Sequence, residues 1–292
     1  MSSLLTSYRS VLDFAIVNAM FALSTFVAMW TGVLSLASVT FAAVAGFLGA
    51  YLQVTVGLPV TLVLVIGAVA GAVCAFVVSF PLLRLTSHWV ALAAIALVLI
   101  TRVFVLNLDP LTGGANGRVV LRQTPTWMLL VVLALTCLFL ARIRRSRIGI
   151  ACETVREDAA VAATLGIKPA RVQRFAMVVS GAIGGLAGVM MANVVQYINP
   201  DTYSTTVMFL MLAAVVLGGA YHWAGAVVGA AVFTLIPELS RSVAPAVVDD
   251  ILRGVVIIII MIFLPRGIVD PGRNWRLPGR RRPAPTPATE TS

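Results

Sequence analysis

Residues 14–83 contain no Asp, Glu, Lys or Arg. Wound as helix at about 1.5 Å per residue, such a run reaches on the order of 100 Å, against a hydrocarbon core of about 30 Å, so it crosses a bilayer about three times. The rest of the chain follows the same rule. Of 292 residues 60% are apolar and 11% charged, where a soluble domain carries about 25% charge. The apolar runs are continuous, as in residues 128–140 (MLLVVLALTCLFL), rather than alternating over segments of about 10 residues, which excludes an outer-membrane barrel. The opening MSSLLTSYRSVLDF is too polar for the hydrophobic part of a secretion signal, so residues 14–30 are expected to form a retained first span.

Nine apolar segments can be delimited: 12–30, 32–50, 60–83, 88–107, 126–141, 175–197, 206–217, 224–240 and 250–264. The net charge of +10 is not spread among them. Eight of the 21 basic residues fall in 142–174 and six in 266–282. Basic segments flanking spans stay in the cytoplasm, and the same clusters attract anionic lipid, so no nucleic-acid partner is expected. With both clusters inside, 175–197 crosses outward and the three runs after it return the chain. In the N-terminal half, five full crossings ending inside would put the N-terminus outside, despite Arg9. One run is therefore expected to be no simple crossing. Segment 32–50, with Gly32, Ser35, Ser38, Thr40, Gly46 and Gly49, suits a broken or re-entrant helix, a form tolerated at membrane depth only inside protein or beside a wet cavity. The expected fold is all-α and polytopic, with about eight transmembrane helices plus one broken segment, and Gly32, Ser35 and Ser38 are candidates for a solute pathway. The alternative, that these small residues only let helices approach, stays open.

Other residues are read more briefly. Gly181, Gly184, Gly185 and Gly188, and again Gly225 and Gly229, have the spacing of close helix contacts. Arg102 interrupts an uncharged run, where it either meets a solute carboxylate or reaches back to the interface. His88 and His222 sit beside Trp89 and Trp223 near span ends, as interfacial residues do. Cys74, Cys137 and Cys152 are isolated and read as packing residues. No catalytic constellation, metal site or cofactor motif is found. The phosphate-binding pattern GxxxxGK[ST] is absent, since the single lysine, Lys168, follows Ile167.

The long polar stretch 142–174 exceeds what a connection needs. A helix is expected over 152–165, stopped by Gly166 and followed by Pro169. Val155, Ala159, Ala162, Ala163 and Gly166 recur at three- and four-residue spacing, giving a small apolar face. A helix lying on head groups would carry large apolar residues there instead, so this face is expected to dock in a protein groove.

At this stretch the sequence resembles a known family. TVREDAAVAATLGI, followed by Lys168, Pro169, Ala170 and Arg171 and then the glycine-rich run, is similar to the coupling loop of the permease subunits of branched-chain amino-acid ABC importers, in their LivM-like branch. Ala162-Ala163-x-Leu165-Gly166 resembles that family's version of the loop motif shared by importer permeases. Gly32-Val33-Leu34-Ser35-Leu36 with Phe41, the run LTGGANG at 111–117, NPDTYS at 199–204, Leu217-Gly218-Gly219 and Pro237-Glu238-Leu239 match in the family's order. Two places depart from the pattern: Ala37-Ser38, where a Gly-His pair is usual, and the run AYHWAG at 220–225, where Gly-Ser-x-x-Gly is usual.

The resemblance implies a plasma-membrane subunit working with two ABC ATPase subunits, a second homologous permease and an extracytoplasmic solute-binding protein. It implies coupling to the ATPase through Arg156, Glu157, Asp158, Ala159, Ala162, Ala163, Leu165 and Gly166. Gly218 and Gly219 from the matched motif, and Arg102 as a charge within a span, are further candidates for the pathway. The implied solute is a branched-chain amino acid, with urea, amides and small aromatic acids open. The permease domain is expected over 1–265, and 266–292 as a basic, Pro-rich tail, disordered or on the lipid surface. Two other classes compete. A secondary transporter or channel complete in one chain predicts internal repeats and buried acids or lysines; a membrane anchoring factor shares the docking helix but has no need of glycine- and serine-rich spans.

Overall fold

A computed structural model describes residues 2–33, 36–85 and 87–241. Ser35, the apolar run 250–264 and the tail 266–292 lie outside the described residues. The long helices are α1 (Ser2–Met29), α2 (Ser38–Tyr51), α3 (Val60–Leu82) and α4 (Ser87–Asn107). A short helix α5 (Asp109–Thr112) and a strand β1 (Arg118–Val119) precede α6 (Thr126–Arg144). Two helices, α7 (Arg147–Glu157) and α8 (Ala159–Thr164), lead into α9 (Pro169–Val195), strand β2 (Tyr197–Ile198), α10 (Thr205–Gly218) and α11 (Trp223–Arg241).

Prolines set several boundaries. Pro59 and Pro125 stand in extended backbone before α3 and α6, and Pro169 opens α9, positions where the missing N–H is no loss. Six helices are long and apolar enough to cross a bilayer, and α10 with α11 forms a pair bent by 119°. Eight of the nine expected segments are thus helical. Among the described residues six crossing-length helices and the bent pair account for eight of the expected segments, and the ninth, 250–264, lies outside them.

Burial ranks the helices. In α1 and α9, 72% of the span is buried, against 22% in α4 and α6, so the first two form the centre and the others meet lipid. Glycine makes this centre possible. A Cβ on Gly71 would collide with the Gly181 carbonyl, one on Gly185 with the Gly67 carbonyl, and one on Gly188 with the Ala42 carbonyl. Gly184 lies against Ser24 and the Ser38 carbonyl. The glycines of α9 therefore meet the backbones of α2 and α3 and the Ser24 hydroxyl of α1.

Segment 32–50 differs from expectation. From Ser38 it is one continuous helix, extended by a π-helical turn (Leu52–Val56) to span length, Ser38–Val56. Its glycines serve packing: Gly46 faces the Tyr203 hydroxyl and the Gly188 carbonyl, and Gly49 faces Val189 and Val63. The irregular backbone lies only between α1 and α2, where Gly32 has φ +77°, a conformation costly for residues with a Cβ. The bend falls instead between α10 and α11.

Direction follows from contacts at the two ends. Gly32, after α1, adjoins Arg156, and Arg174 at the start of α9 covers the Phe80 ring near the end of α3; this is the basic end. At the opposite end Arg9 donates to Thr126 Oγ1 (3.1 Å), Arg118 reaches Thr55 and the Tyr51 ring, and Arg102 pairs with Asp201 (2.7 Å). Helices α1, α2, α3, α4 and α6 therefore alternate, and α1 begins opposite the 142–174 segment. Arg9 does not pull that start to the basic end, because Asp13 in the same helix is fully buried and ion-paired with Arg122 of the 108–125 connection.

That connection is strapped down. Leu121 accepts from Gln53 (3.5 Å), Arg122 holds Asp13, and Gln123 N–H donates to Asn193 Oδ1 (3.4 Å). Gln53 and Asn193 also exchange reciprocal amide bonds at 3.0 and 3.1 Å. The antiparallel pair β1–β2 ties the connection to the end of α9. Removing one partner of a buried ion pair leaves an uncompensated charge, at about 3 kcal/mol or more. Arg122→Ala is expected to lower the thermal unfolding midpoint in detergent by several degrees, and Asp13→Leu/Arg122→Leu to recover most of the loss; equal losses in both would remove the pair's structural role.

Candidate functional site

The polar 142–174 stretch does not form the single helix expected over 152–165. It breaks at Asp158, whose extended backbone (φ −155°, ψ 113°) ends α7 and whose Oδ1 accepts the N–H groups of Ala160 (2.7 Å) and Val161 (3.1 Å) to start α8. An aspartate in this position competes with helix continuation by capping the next one. The α7–α8 unit then returns to the membrane at Gly166, φ +81°, with open space around its Cα.

The break changes which face is which. Val155 and Ala162 are buried, whereas Ala159, Ala163 and Gly166 are exposed, so the expected small apolar face is split. The surface turned away from the bundle instead carries Val161 (53% exposed) and Leu165 (70% exposed). The two are four residues apart, Val161 within α8 and Leu165 at its C-cap, beside the buried Ala162. That spacing was available in the sequence but was outweighed by the longer row of alanines. Glu157 is exposed beside this surface. The acids do not act as a group: Glu153 pairs with Arg144 of α6 (3.3 Å), and Asp158 is spent on the cap.

Arg156 points the other way. Its guanidinium donates to the Ala220 carbonyl (2.8 Å) and lies 4.4 Å from the Tyr221 ring centroid. Its own backbone passes so close to Gly32 that a Cβ there would sit 3.4 Å from Arg156 Cα and from its carbonyl oxygen. One side chain thus links the α1–α2 connection, α7 and the α10–α11 turn. Beside it a cavity of about 270 Å³ is lined by Thr31, Gly32, Leu83, Val155, Arg156 and Gln173. The turn itself is dense: Gly218 meets the Gly225 carbonyl, and Gly229 meets the Ala214 carbonyl and Gly218 N. This bears out the packing role read from Gly225 and Gly229.

The remaining candidates do not join this cluster. Ser38 is buried and bonded to Thr25 Oγ1 (2.9 Å), inside the subunit. Arg102 lies at the opposite end, half exposed and paired with Asp201. Of the expected pathway residues, Gly32 adjoins Arg156, the Gly218–Gly219 pair directly precedes the Ala220 that Arg156 binds, Ser38 and Arg102 lie elsewhere, and Ser35 is outside the described residues. Cys152 is buried, and burial followed by the Glu153 charge pushes its thiol up to about 11, consistent with packing. Among the described residues no cluster of His, Cys, Asp or Glu is arranged to hold a metal.

The family described as branched-chain amino acid transport system, permease component, matches residues 7–261. The high-affinity branched-chain amino acid transport system permease protein LivM of Salmonella typhimurium is 26% identical over an alignment of 279 residues that covers 82% of this chain and 64% of that protein; LivM of Escherichia coli is similar to the same extent. The high-affinity branched-chain amino acid transport system permease protein LivH of Escherichia coli is 32% identical over 149 residues, covering 50% of this chain and 47% of LivH. The chain thus spans 64% of the length of the LivM proteins it matches. No solved structure matches it.

His222, in the α10–α11 turn, accepts the Ala224 N–H on Nδ1 (3.0 Å). Burial, then the nearby Arg144 charge, holds its pKa below the usual imidazole value. The unfolded chain therefore takes up this proton first as pH falls through about 6.5, so the turn's contribution is present above that pH and declines below it. The unfolding midpoint is expected to fall between pH 7 and pH 5.5, and His222→Asn to reduce that dependence; an unchanged slope in the variant would remove His222 as its source.

Proposed function

Because the chain belongs to the branched-chain amino acid transport permease family, we propose that it is a transmembrane permease subunit of an ATP-driven importer for branched-chain amino acids or similar small solutes. The match over residues 7–261 carries this reading. The chain is a multi-pass protein of the bacterial inner membrane. In the proposed assembly two ATPase subunits supply the hydrolysis, a second permease related to this one completes the transmembrane unit, and an extracytoplasmic binding protein delivers the solute. The resemblance to both LivM and LivH supports a permease pair.

Basic segments favour the cytoplasm, so the end carrying α7 and α8 is assigned inward, and the start of α1 with the 108–125 connection outward. An ATPase can drive transport only by changing the relative stability of inward- and outward-facing states, which requires a firm contact. The α7–α8 unit supplies that contact in this reading. Val161 and Leu165, exposed outside the spans, fit an apolar groove on the ATPase, with Glu157 and Ala163 at its edge. Ala162 and Val155 anchor the unit to the bundle. The self-contained transporter reading gains no observation: Asp13, the buried acid among the described residues, is already neutralised by Arg122.

Leu165→Asp and Ala163→Trp change exposed positions and are expected to leave the subunit in the membrane. Both should lower co-purification of the ATPases and uptake of leucine, isoleucine and valine by tenfold or more, with Glu157→Arg showing a smaller loss. Ala162→Trp, at a buried position, should instead deplete the subunit itself. Normal uptake in Leu165→Asp and Ala163→Trp would overturn the docking assignment.

A further inference from the structure

We infer that Arg156 is a positioning residue that transmits movement of the α7–α8 unit to the α10–α11 turn and the α1–α2 connection, rather than a contact for the ATPase. The inference rests on the importer reading and specifies how its coupling unit grips the bundle.

The contacts are of three independent kinds. The guanidinium donates to Ala220 O at 2.8 Å, lies over the Tyr221 ring at 4.4 Å, and springs from backbone seated on Gly32. Ala220 belongs to neither α10 nor α11, and among the described residues no backbone N–H reaches its carbonyl; Arg156 is the hydrogen-bond donor recorded for it. Carbonyls at helix ends are satisfied by side chains or by water, so moving Arg156 away exchanges a charged donor on Ala220 for water and loosens the turn. Tyr221 remains half exposed even under the guanidinium, which leaves the contact open to solvent and able to separate without opening a packed core.

The neighbouring groups make the same division of labour. Glu157, one position on, is exposed, Asp158 caps α8, and Val161 and Leu165 face away from the bundle. Arg156 turns back into the bundle and reaches the α10–α11 turn, while Val155 and Ala159 line the cavity at Thr31 and Gly32 beside it. Gly32, held at φ +77°, packs against the Arg156 backbone, and the cavity beside Gly32 and Thr31 gives the arginine room to withdraw. A push on α8 is therefore delivered at two places at once: the connection that leads into α2 and the bend that separates α10 from α11.

The test uses the complete complex, with its partner ATPases, second permease and binding protein, in proteoliposomes, offering leucine, isoleucine and valine. Arg156→Ala is expected to co-purify with the ATPases as the wild type does, in contrast to Leu165→Asp, and to raise the ATP hydrolysed per solute moved by at least tenfold. Arg156→Lys, which keeps a donor for Ala220, should recover part of the ratio. Tyr221→Phe, which keeps the ring, should match the wild type, and Tyr221→Ala should not. A wild-type ratio in Arg156→Ala overturns the inference, as does loss of ATPase co-purification equal to that of Leu165→Asp, which would make Arg156 a partner contact. Should the Arg156→Ala subunit fail to accumulate, the Tyr221 pair decides: equal ratios in Tyr221→Ala and Tyr221→Phe overturn it. Failure of the wild-type complex to move any of the three solutes would count against the importer reading instead. The contact is then read separately: cross-linking of Arg156→Cys to Tyr221→Cys by a short bis-thiol reagent, in a background lacking the native cysteines, is expected in the resting membrane, and its absence overturns the inference.

Discussion

Everything in this bundle depends on how near α9 can come to its neighbours. In lipid there is no hydrophobic gain from joining two apolar helices, and association comes from dispersion contacts and the hydrogen bonds that close approach permits. The glycines of α9 remove the side chains that would hold the axes apart, and the carbonyls of Gly67, Gly71 and Ala42 then rest directly against its backbone. Three helices are gathered on one. The polar groups at this depth are small and satisfied across the same gaps, as where Ser24 Oγ donates to the Ser180 carbonyl and Ser180 Oγ to the Ser24 carbonyl, both at 2.8 Å. Helices α4 and α6, without such contacts, are left with most of their surface in lipid.

From that centre the two ends diverge. The end opposite the basic segment is fastened by many bonds from consecutive residues, Leu121, Arg122 and Gln123, to three different helices, and by a two-strand clasp. At the basic end the contacts are single and separate: Arg156 on one carbonyl and one ring of the α10–α11 turn, Arg174 over the Phe80 ring, and Glu153 paired with Arg144. A charged donor on a carbonyl contributes about 1.5–3 kcal/mol, and a cation over an exposed ring about 0.5–1 kcal/mol. These sums lie within the range by which a bound partner shifts a two-state equilibrium, whereas undoing the opposite end requires several such losses together. The asymmetry suits a protein driven from its basic side.

Composition and charge position made the fold class legible, because apolar length alone sets what must cross a bilayer, and eight expected segments are helices in place. The start of α1 was misread because a rule about flanking charge takes Arg9 at face value; Asp13 paired with Arg122, 109 residues away, is a contact no local pattern announces. Segment 32–50 was misread because glycine and serine serve both broken backbone and close packing, and only the partner helix tells them apart. Within 142–174 helical structure was legible and its break was not: Asp158 reads equally as a helix residue or a cap, and with the cap Arg156 reaches the bundle while Leu165 is exposed. Tyr221 and Ala220 were seen as departures from a family pattern without a role, since their partner lies across the fold.

The stripe on α9 has a consequence for how such a chain can change over time. Its glycines meet three helices at fixed azimuths, and one residue inserted or deleted near their middle turns half of the stripe by about 100° relative to the other half. Substitutions at lipid-facing positions of α4 or α6 leave every other contact in place. Length changes in α9 do not, so divergence in this protein is channelled into side chains and loop lengths, while the register of its central helix is held constant.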